Sequence, residues 1–208
     1  MTEAARKLEA SRRGFDQWAP SYESDRRSRR IATLQLEAFE ALGLGPEDRM
    51  LDVGCGSGAA VRRAAQLGKR AVGVDLSPRM IRLAEELAAG VENVEFLVAE
   101  SSDLPFDDAS FTAVLCTTSF HHYPDPEASV REMARVLAPG GRLVIGDASA
   151  DRVGVRFVDW FLRRFEESHV RMYRSTEFAA LLYGAGLRDV AVRKLWSWGY
   201  AIVRAGKP

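Results

Sequence analysis

The chain has 208 residues, 29 of them basic and 29 acidic. That length fits one well-packed α/β domain, and the balanced charge sets up no global field toward nucleic acid. Hydrophobic residues at 47% and charged residues at 28% are an ordinary globular mixture, which excludes a disordered or membrane-embedded chain.

The first ten residues, MTEAARKLEA, are charged and lack an apolar core, so no secretory signal is expected. Nor does any apolar run approach the roughly 20 residues of a membrane span. Cys55 and Cys116 lack metal-type spacing and suit a reducing compartment. The expectation is a cytoplasmic protein with no membrane span, no bound metal and no nucleic-acid partner.

Residues 5–42 carry no strand signal and predict two helices, around Ser11–Ala19 and Asp25–Leu42. Arg26, Arg27, Arg29 and Arg30 form a basic stretch on the second. It is read as a solvated face, with the steering of an anionic partner as the alternative. From residue 49 strand and helix signals alternate. Apolar runs at Met50–Val53, Ala71–Val74, Val94–Val98, Phe111–Cys116 and Leu143–Ile145 predict strands buried on both faces. Amphipathic segments Ala59–Gln66, Pro78–Ala89 and Glu127–Leu137 lie between them. Ser77-Pro78 caps the second of these, and Pro139-Gly140-Gly141 is expected to stop the third. Residues 151–186 predict two more helices. Leu187–Trp196 and Tyr200–Arg204, joined through Ser197, Trp198 and Gly199, predict an antiparallel hairpin. Repeated βα units imply parallel strands with right-handed crossovers.

The sharpest motif is Leu51-Asp52-Val53-Gly54-Cys55-Gly56-Ser57-Gly58, where the first strand gives way to a helix. Glycines there let the chain turn tightly and let a ligand approach the backbone. The spacing is G-x-G-x-G rather than the G-x-G-x-x-G of pyrophosphate-binding loops, and Asp52 precedes it. An acid at that place suits a ligand with an ammonium and a sulfonium better than a pyrophosphate. Asp75, ending the second strand, is placed to accept both hydroxyls of a ribose, or else to complement a helix dipole. Glu100 follows the third strand and can accept from an adenine amino group, with Asp103 as the alternative.

The stretches LDVGCGSG, GVDLS, AESSDLPFDDASF and SFHHYPDPEASVREMARVLAPGGRLVIGD, with GFDQWAPSYE before them, resemble the class I S-adenosylmethionine (SAM)-dependent methyltransferases. The similarity is to the branch that includes ubiquinone- and menaquinone-biosynthesis enzymes, often called methyltransferase type 11, and it runs over about residues 14–147. It implies a Rossmann-like, doubly wound, mostly parallel seven-stranded α/β sheet with a C-terminal antiparallel hairpin. One domain would span residues 1–208, with a helical lid over 1–45, a cofactor-binding core over 46–150 and acceptor-side helices and hairpin over 151–208. The cofactor would be SAM, released as S-adenosylhomocysteine. By position, Asp52 and the loop of Gly54, Gly56 and Gly58 would hold the methionine part. Asp75 would take the ribose, Leu76 would pack on the adenine, and Glu100 with the Ser101 backbone would read the adenine edge. Thr117 would lie beside the methionine chain, with Tyr22 and Trp18 as the lid. An Asp-Ala pair is usual where Glu100-Ser101 stands here.

Methyl transfer needs alignment above all, so a dedicated base is optional. His121 and His122, just after the fourth strand, are the candidates for proton removal, against a role in fixing the loop. His169 is a further candidate, or a packing histidine. Thr117-Thr118-Ser119-Phe120 stands where amino-methylating enzymes carry Asn/Asp-Pro-Pro-Tyr, which disfavours DNA bases and protein glutamine and points to a small-molecule acceptor. Phe157, Trp160, Phe161 and Phe165 recur at helical spacing and are read as core, or, if they line a cavity, as the mark of an apolar acceptor. Arginines in the same region, and the Trp196–Trp198 turn, are further acceptor-pocket candidates. The competing readings are a non-catalytic SAM-binding protein of the same fold and, more remotely, a nucleotide-dependent oxidoreductase.

Overall fold

A computed structural model describes residues 2–195 and 199–208. Two helices, α1 (Glu3–Trp18) and α2 (Arg26–Glu40), joined by a short 3₁₀ turn at Ala19–Ser24, precede the first strand. Then follow β1 (Arg49–Val53), α3 (Ala59–Ala65), β2 (Arg70–Asp75), α4 (Pro78–Leu87), β3 (Val94–Val98), β4 (Phe111–Thr117), α5 (Pro126–Val136), β5 (Leu137–Ala148), α6 (Val153–Phe165), α7 (Ser175–Gly184), β6 (Arg188–Leu195) and β7 (Tyr200–Gly206).

The strands form one sheet in the order β3-β2-β1-β4-β5-β7-β6. β1 to β5 pair in parallel, and β7 runs antiparallel between β5 and β6. Strand order reverses at β1, which pairs with both β2 and β4. In such sheets a crevice opens outside the carboxyl ends of the strands at that point, and ligands bind there.

Each face of the sheet buries its own apolar cluster. One includes Phe120, Met133, Phe178 and Leu182 from α5, α7 and the turn after β4. The other includes Phe39, Leu42, Val61 and Ala64 from the α2–α3 side. Burying a side chain of this size contributes about 1.5–3 kcal/mol, so covering both faces explains why the strand segments are apolar at consecutive positions. Local signals agree. The Ser77 hydroxyl accepts from Met80 N–H at 3.1 Å to start α4, and Asp125 accepts from Ala128 N–H at 2.8 Å to start α5, each with proline at the first helical position.

Three expectations need correction. β3 is not buried on both faces: Val98 is exposed, because β3 is an edge strand. Pro139-Gly140-Gly141 does not separate helix from strand, since β5 already begins at Leu137 and pairs with Phe111 before a register shift. Gly140 accommodates that irregularity with a φ of +74°. The aromatic residues of α6 are not core. Phe157 and Trp160 are 66% and 61% exposed, and Phe161 and Phe165 are exposed as well, because the helix turns Asp159 rather than its rings inward. On α2, Arg26 and Arg29 are exposed. The side chains of Arg27 and Arg30, and the turn at residues 196–198, lie outside the described residues.

Candidate active site

The glycine loop fills the gap between the end of β1 and the start of α3. Gly54, Gly56 and Gly58 adopt φ values of +79°, +53° and +76°, which favour glycine. Their tasks differ. A Cβ on Gly54 would stand 2.4 Å from Ser119 Oγ and 2.9 Å from Tyr123 Oη. One on Gly58 would stand 2.6 Å from the Phe96 ring, so this glycine lets α3 close on the sheet. Gly54 N–H and Cys55 N–H donate to the Val74 carbonyl at 2.8 and 3.0 Å, tying the loop to β2.

A cleft of about 720 Å³, its open mouth included, lies above this loop. Gly54, Gly56, Asp75, Leu76, Glu100, Ser101 and Thr117 line it from the sheet ends, and Tyr22 lines it from the N-terminal helices. Eight of the sequence candidates for cofactor binding are thus brought together. Asp52 and Gly58 do not face this cleft. Asp52 instead borders a neighbouring cavity between α2 and α3, with Tyr22, Gln35, Cys55 and Thr117 shared by the two.

Asp75 Oδ2 accepts from Gly56 N–H and Oδ1 from Ser77 N–H, both at 2.9 Å. Burial raises its pKa, and those two bonds pull the other way. Asp52 is buried, and its Oδ1 has no hydrogen-bond partner. Burial, reinforced by the charge of Asp75, pushes its pKa up to about 7. A buried carboxylate oxygen without a donor costs about 1–3 kcal/mol or more, so this corner suits a cationic ligand group. Glu100 Oε1 accepts from Ser102 Oγ at 2.6 Å, and the hydroxyls of Ser101 and Ser129 are 2.8 Å apart.

Tyr22 is held over the loop by an edge-on contact with Trp18, centroids 4.8 Å apart, and Trp18 Nε1 donates to Asp25 at 2.8 Å. Trp18 therefore supports Tyr22 rather than lining the cleft. Burial pushes the Tyr22 hydroxyl up to about 12. Asp16 latches α1 onto the sheet side by accepting from Ser77 Oγ at 2.6 Å and Arg79 N–H at 3.3 Å.

All three histidines of the chain gather beside the cleft. His122 lines it, with its ring edge-on to Phe15 at 5.2 Å. Its Nδ1 lies 2.9 Å from the Ser168 carbonyl, which can only accept, so Nδ1 carries the proton and Nε2 keeps its lone pair. Burial and then the neighbouring His121 push the His122 pKa down to about 3. His121 does not line the cleft. Its Nδ1 is 2.7 Å from Asp147 Oδ1, and its N–H donates to Oδ2 at 3.1 Å. Burial disfavours the charged ring, but the Asp147 carboxylate outweighs that and leaves the pKa raised. The His121 and His122 centroids are 4.1 Å apart. His169 is buried and paired with Asp159 at 2.8 Å, which is the packing role.

The sequence reading missed Asp147, Asp16, Gln35, Ser119 and Tyr123. Gln35, Ser119 and Tyr123 line the cleft, and Tyr123 Oη donates to the Val53 carbonyl at 3.1 Å. Asp147 had a signal, an isolated acid ending an apolar strand in Leu143-Val144-Ile145-Gly146-Asp147. Gln35 and Asp16 sit on amphipathic helices and had none.

A strand order reversing at a glycine loop, with acids at the ends of the first two strands and an antiparallel strand beside β5, makes a doubly wound α/β sheet with a ligand crevice at its switch point. Residues 51–145 match the family described as a methyltransferase domain. The uncharacterized methyltransferase YcgJ of Bacillus subtilis is 34% identical over 160 residues, covering 75% of this chain and 62% of that protein. A demethylmenaquinone methyltransferase of Tropheryma whipplei is 37% identical over 128 residues, covering 62% of this chain and 52% of that protein. The chain thus spans between about half and two thirds of the length of these curated relatives. The crystal structure of Bacillus subtilis YcgJ superposes with a TM-score of 0.74 at 22% identity, over 85% of this chain and 99% of that one, a likeness of fold.

Proposed function

We propose that the protein transfers a methyl group from SAM to a small-molecule acceptor. The observation that carries this reading is the pairing of the Gly54–Gly56 turn with two acids, the half-buried Asp75 already ordered by backbone N–H groups and the buried Asp52 with an unpartnered oxygen. Asp75 would hold the ribose hydroxyls, and Asp52 with the loop the ammonium end. Leu76, Glu100 and Ser101 would receive the adenine, and Thr117 would stand beside the methionine chain. Gly58 serves the loop through packing. Residues 1–45 act as a lid that closes through Tyr22, residues 46–150 are the cofactor core, and residues 151–208 form the acceptor side of one domain.

The bound cofactor supplies an activated methyl group on a sulfonium, with a neutral thioether as leaving group. The protein's task is alignment, which can contribute about 7–11 kcal/mol. His122 Nε2 accepts a hydrogen bond from the acceptor's O–H or N–H and orients its lone pair. A pKa near 3 makes His122 a weak base but keeps it a neutral acceptor at pH 7. His121, fixed by Asp147, is a positioning residue that acts through the His122 ring packed at an angle beside it. Two buried free cysteines support a reducing, cytoplasmic setting. Among the described residues no helix is long and apolar enough to cross a membrane, and the zero net charge supports partners other than nucleic acid.

Calorimetric titration tests the reading. SAM is expected to bind at micromolar affinity where NAD and NADP do not. Asp75→Ala should weaken SAM at least about tenfold through loss of charge-assisted bonds. NAD binding, or unchanged SAM affinity in the variant, would reject the assignment.

Asp52 adds a pH dependence. Its folded pKa of about 7 lies above the unfolded value of about 3.9. Ionising it therefore costs the free protein stability as pH rises through that window. An ammonium beside it favours the ionised form, so SAM affinity is expected to rise from about pH 5.5 to about pH 7.5 and then level off. Asp52→Asn should bind more weakly and show a flatter profile. A wild-type affinity that does not change with pH would remove Asp52 from the ammonium site.

A further inference from the structure

We infer that α6 is a docking element for an anionic lipid surface. Val153, Phe157, Val158, Trp160, Phe161 and Phe165 are all exposed on a helix of 13 residues. They recur at three- and four-residue spacing, which gathers them on one side. The four rings touch in two pairs, with centroids 5.8 Å apart for Phe157 and Trp160 and 4.6 Å for Phe161 and Phe165. Isolated exposed apolar residues are ordinary, but a continuous strip with four aromatic rings marks a surface meant to be covered.

Charge selects the occupant. Arg156, Arg163 and Arg164 are exposed on the same helix, and the Arg164 guanidinium lies over the Phe165 ring at 5.7 Å. The single acid of the helix, Asp159, is turned inward to His169 and to Met172 N–H at 2.7 Å. The outward surface of α6 therefore carries only positive charge, on a chain whose total charge is zero. A second copy of this chain packed face to face would set arginine against arginine. Aromatic rings at the acyl boundary with arginines at headgroup level are the composition of an interfacial helix bound to anionic lipid.

The position fits a role at the cleft. The segment after α6 carries Ser168, whose carbonyl holds the His122 ring, and His169, which holds Asp159. Docking α6 would thus bring the histidine side of the cleft to the lipid boundary. That an acceptor enters from there rests on the methyl-transfer reading, whereas docking itself does not.

Co-sedimentation with vesicles tests it. The protein should bind vesicles of mixed phosphatidylglycerol and phosphatidylcholine at least about fivefold more tightly than vesicles of phosphatidylcholine alone. The Trp160→Ser/Phe161→Ser variant should lose most of that binding, and Arg163→Glu/Arg164→Glu should lose the preference for anionic lipid. SAM titration of each variant, with affinity unchanged, shows that the fold and cofactor site are intact. It also separates failure of docking from failure of the methyl-transfer reading. No sedimentation of wild type, equal binding to both vesicles, or equal binding by the aromatic variant overturns the proposal. So does a dimer in analytical ultracentrifugation that Trp160→Ser/Phe161→Ser dissociates.

Discussion

Gly54→Val is expected to abolish measurable SAM binding, a loss of at least about a hundredfold, and to cost the fold about 3 kcal/mol. Two effects add. At a φ of +79° a β-branched side chain is strained in its own backbone, at about 1–2 kcal/mol. Its Cβ would also meet Ser119 Oγ at 2.4 Å and Ser119 Cβ at 2.6 Å, and overpacking of this kind costs about 1–3 kcal/mol. Ser119 has little freedom to yield, because its hydroxyl is 3.0 Å from Tyr123 Oη and 3.3 Å from the Val53 carbonyl. The chain must instead move the loop, and the cradle moves with it. Urea unfolding and SAM titration read the two effects separately. Gly14→Ala is the control: nothing lies within 4 Å of its added Cβ and it sits within α1, so a gain of about 0.5–1 kcal/mol is expected. Wild-type stability and affinity in Gly54→Val would sink the close-approach argument.

Asp147→Ala should be still more costly to the fold, at about 3–5 kcal/mol. The carboxylate is fully buried and accepts three times, from the His121 ring at 2.7 Å, the His121 N–H at 3.1 Å and the Ala148 N–H at 2.6 Å. Truncation leaves these donors unpaired in a dry site and lets the His121 pKa fall. The sign of the pH dependence follows from both partners. The raised His121 pKa contributes stability that is present below about 6.5, the unfolded histidine value, and is lost as pH rises through the folded pKa. The lowered Asp147 pKa contributes stability present above about 3.9 and lost as pH falls through the folded value. Wild type and variant should therefore differ most between about pH 4 and about pH 6.5. Urea unfolding across that range, with NMR titration of the His121 ring, measures it. A difference below about 1 kcal/mol throughout would show that the pair does not hold the turn. Asp147→Asn, which keeps the shape, should lose less.

The doubly wound sheet and much of the lining of the cleft beside the glycine loop were readable before any coordinates, for a local reason. Buried parallel strands declare themselves by consecutive apolar residues, and a loop that needs left-handed backbone at three nearby positions leaves little choice but glycine. The strand at Val94–Val98 and the hairpin at the end were placed correctly as well, although β3 proved an edge strand with Val98 exposed. Asp75, Leu76, Glu100, Ser101 and Thr117 follow from their places at strand ends.

Other features depended on long-range packing and stayed hidden. Asp52 and Asp75 look alike in sequence, yet one is saturated by backbone donors and the other keeps a bare oxygen. His121 and His122 are adjacent in the chain, but Asp147 from β5 raises one pKa while burial depresses the other. The rings of α6 have the periodicity of a core helix, and only the turn of Asp159 toward His169 sends them outward. Sequence alone determined the sheet, the glycine turn and most of the residues that line the cleft beside it, because backbone sterics and burial act over a few residues. Tertiary structure decided which acid keeps an unpartnered oxygen, which histidine faces the cleft and which apolar face meets the outside. Those outcomes depend on partners far away along the chain.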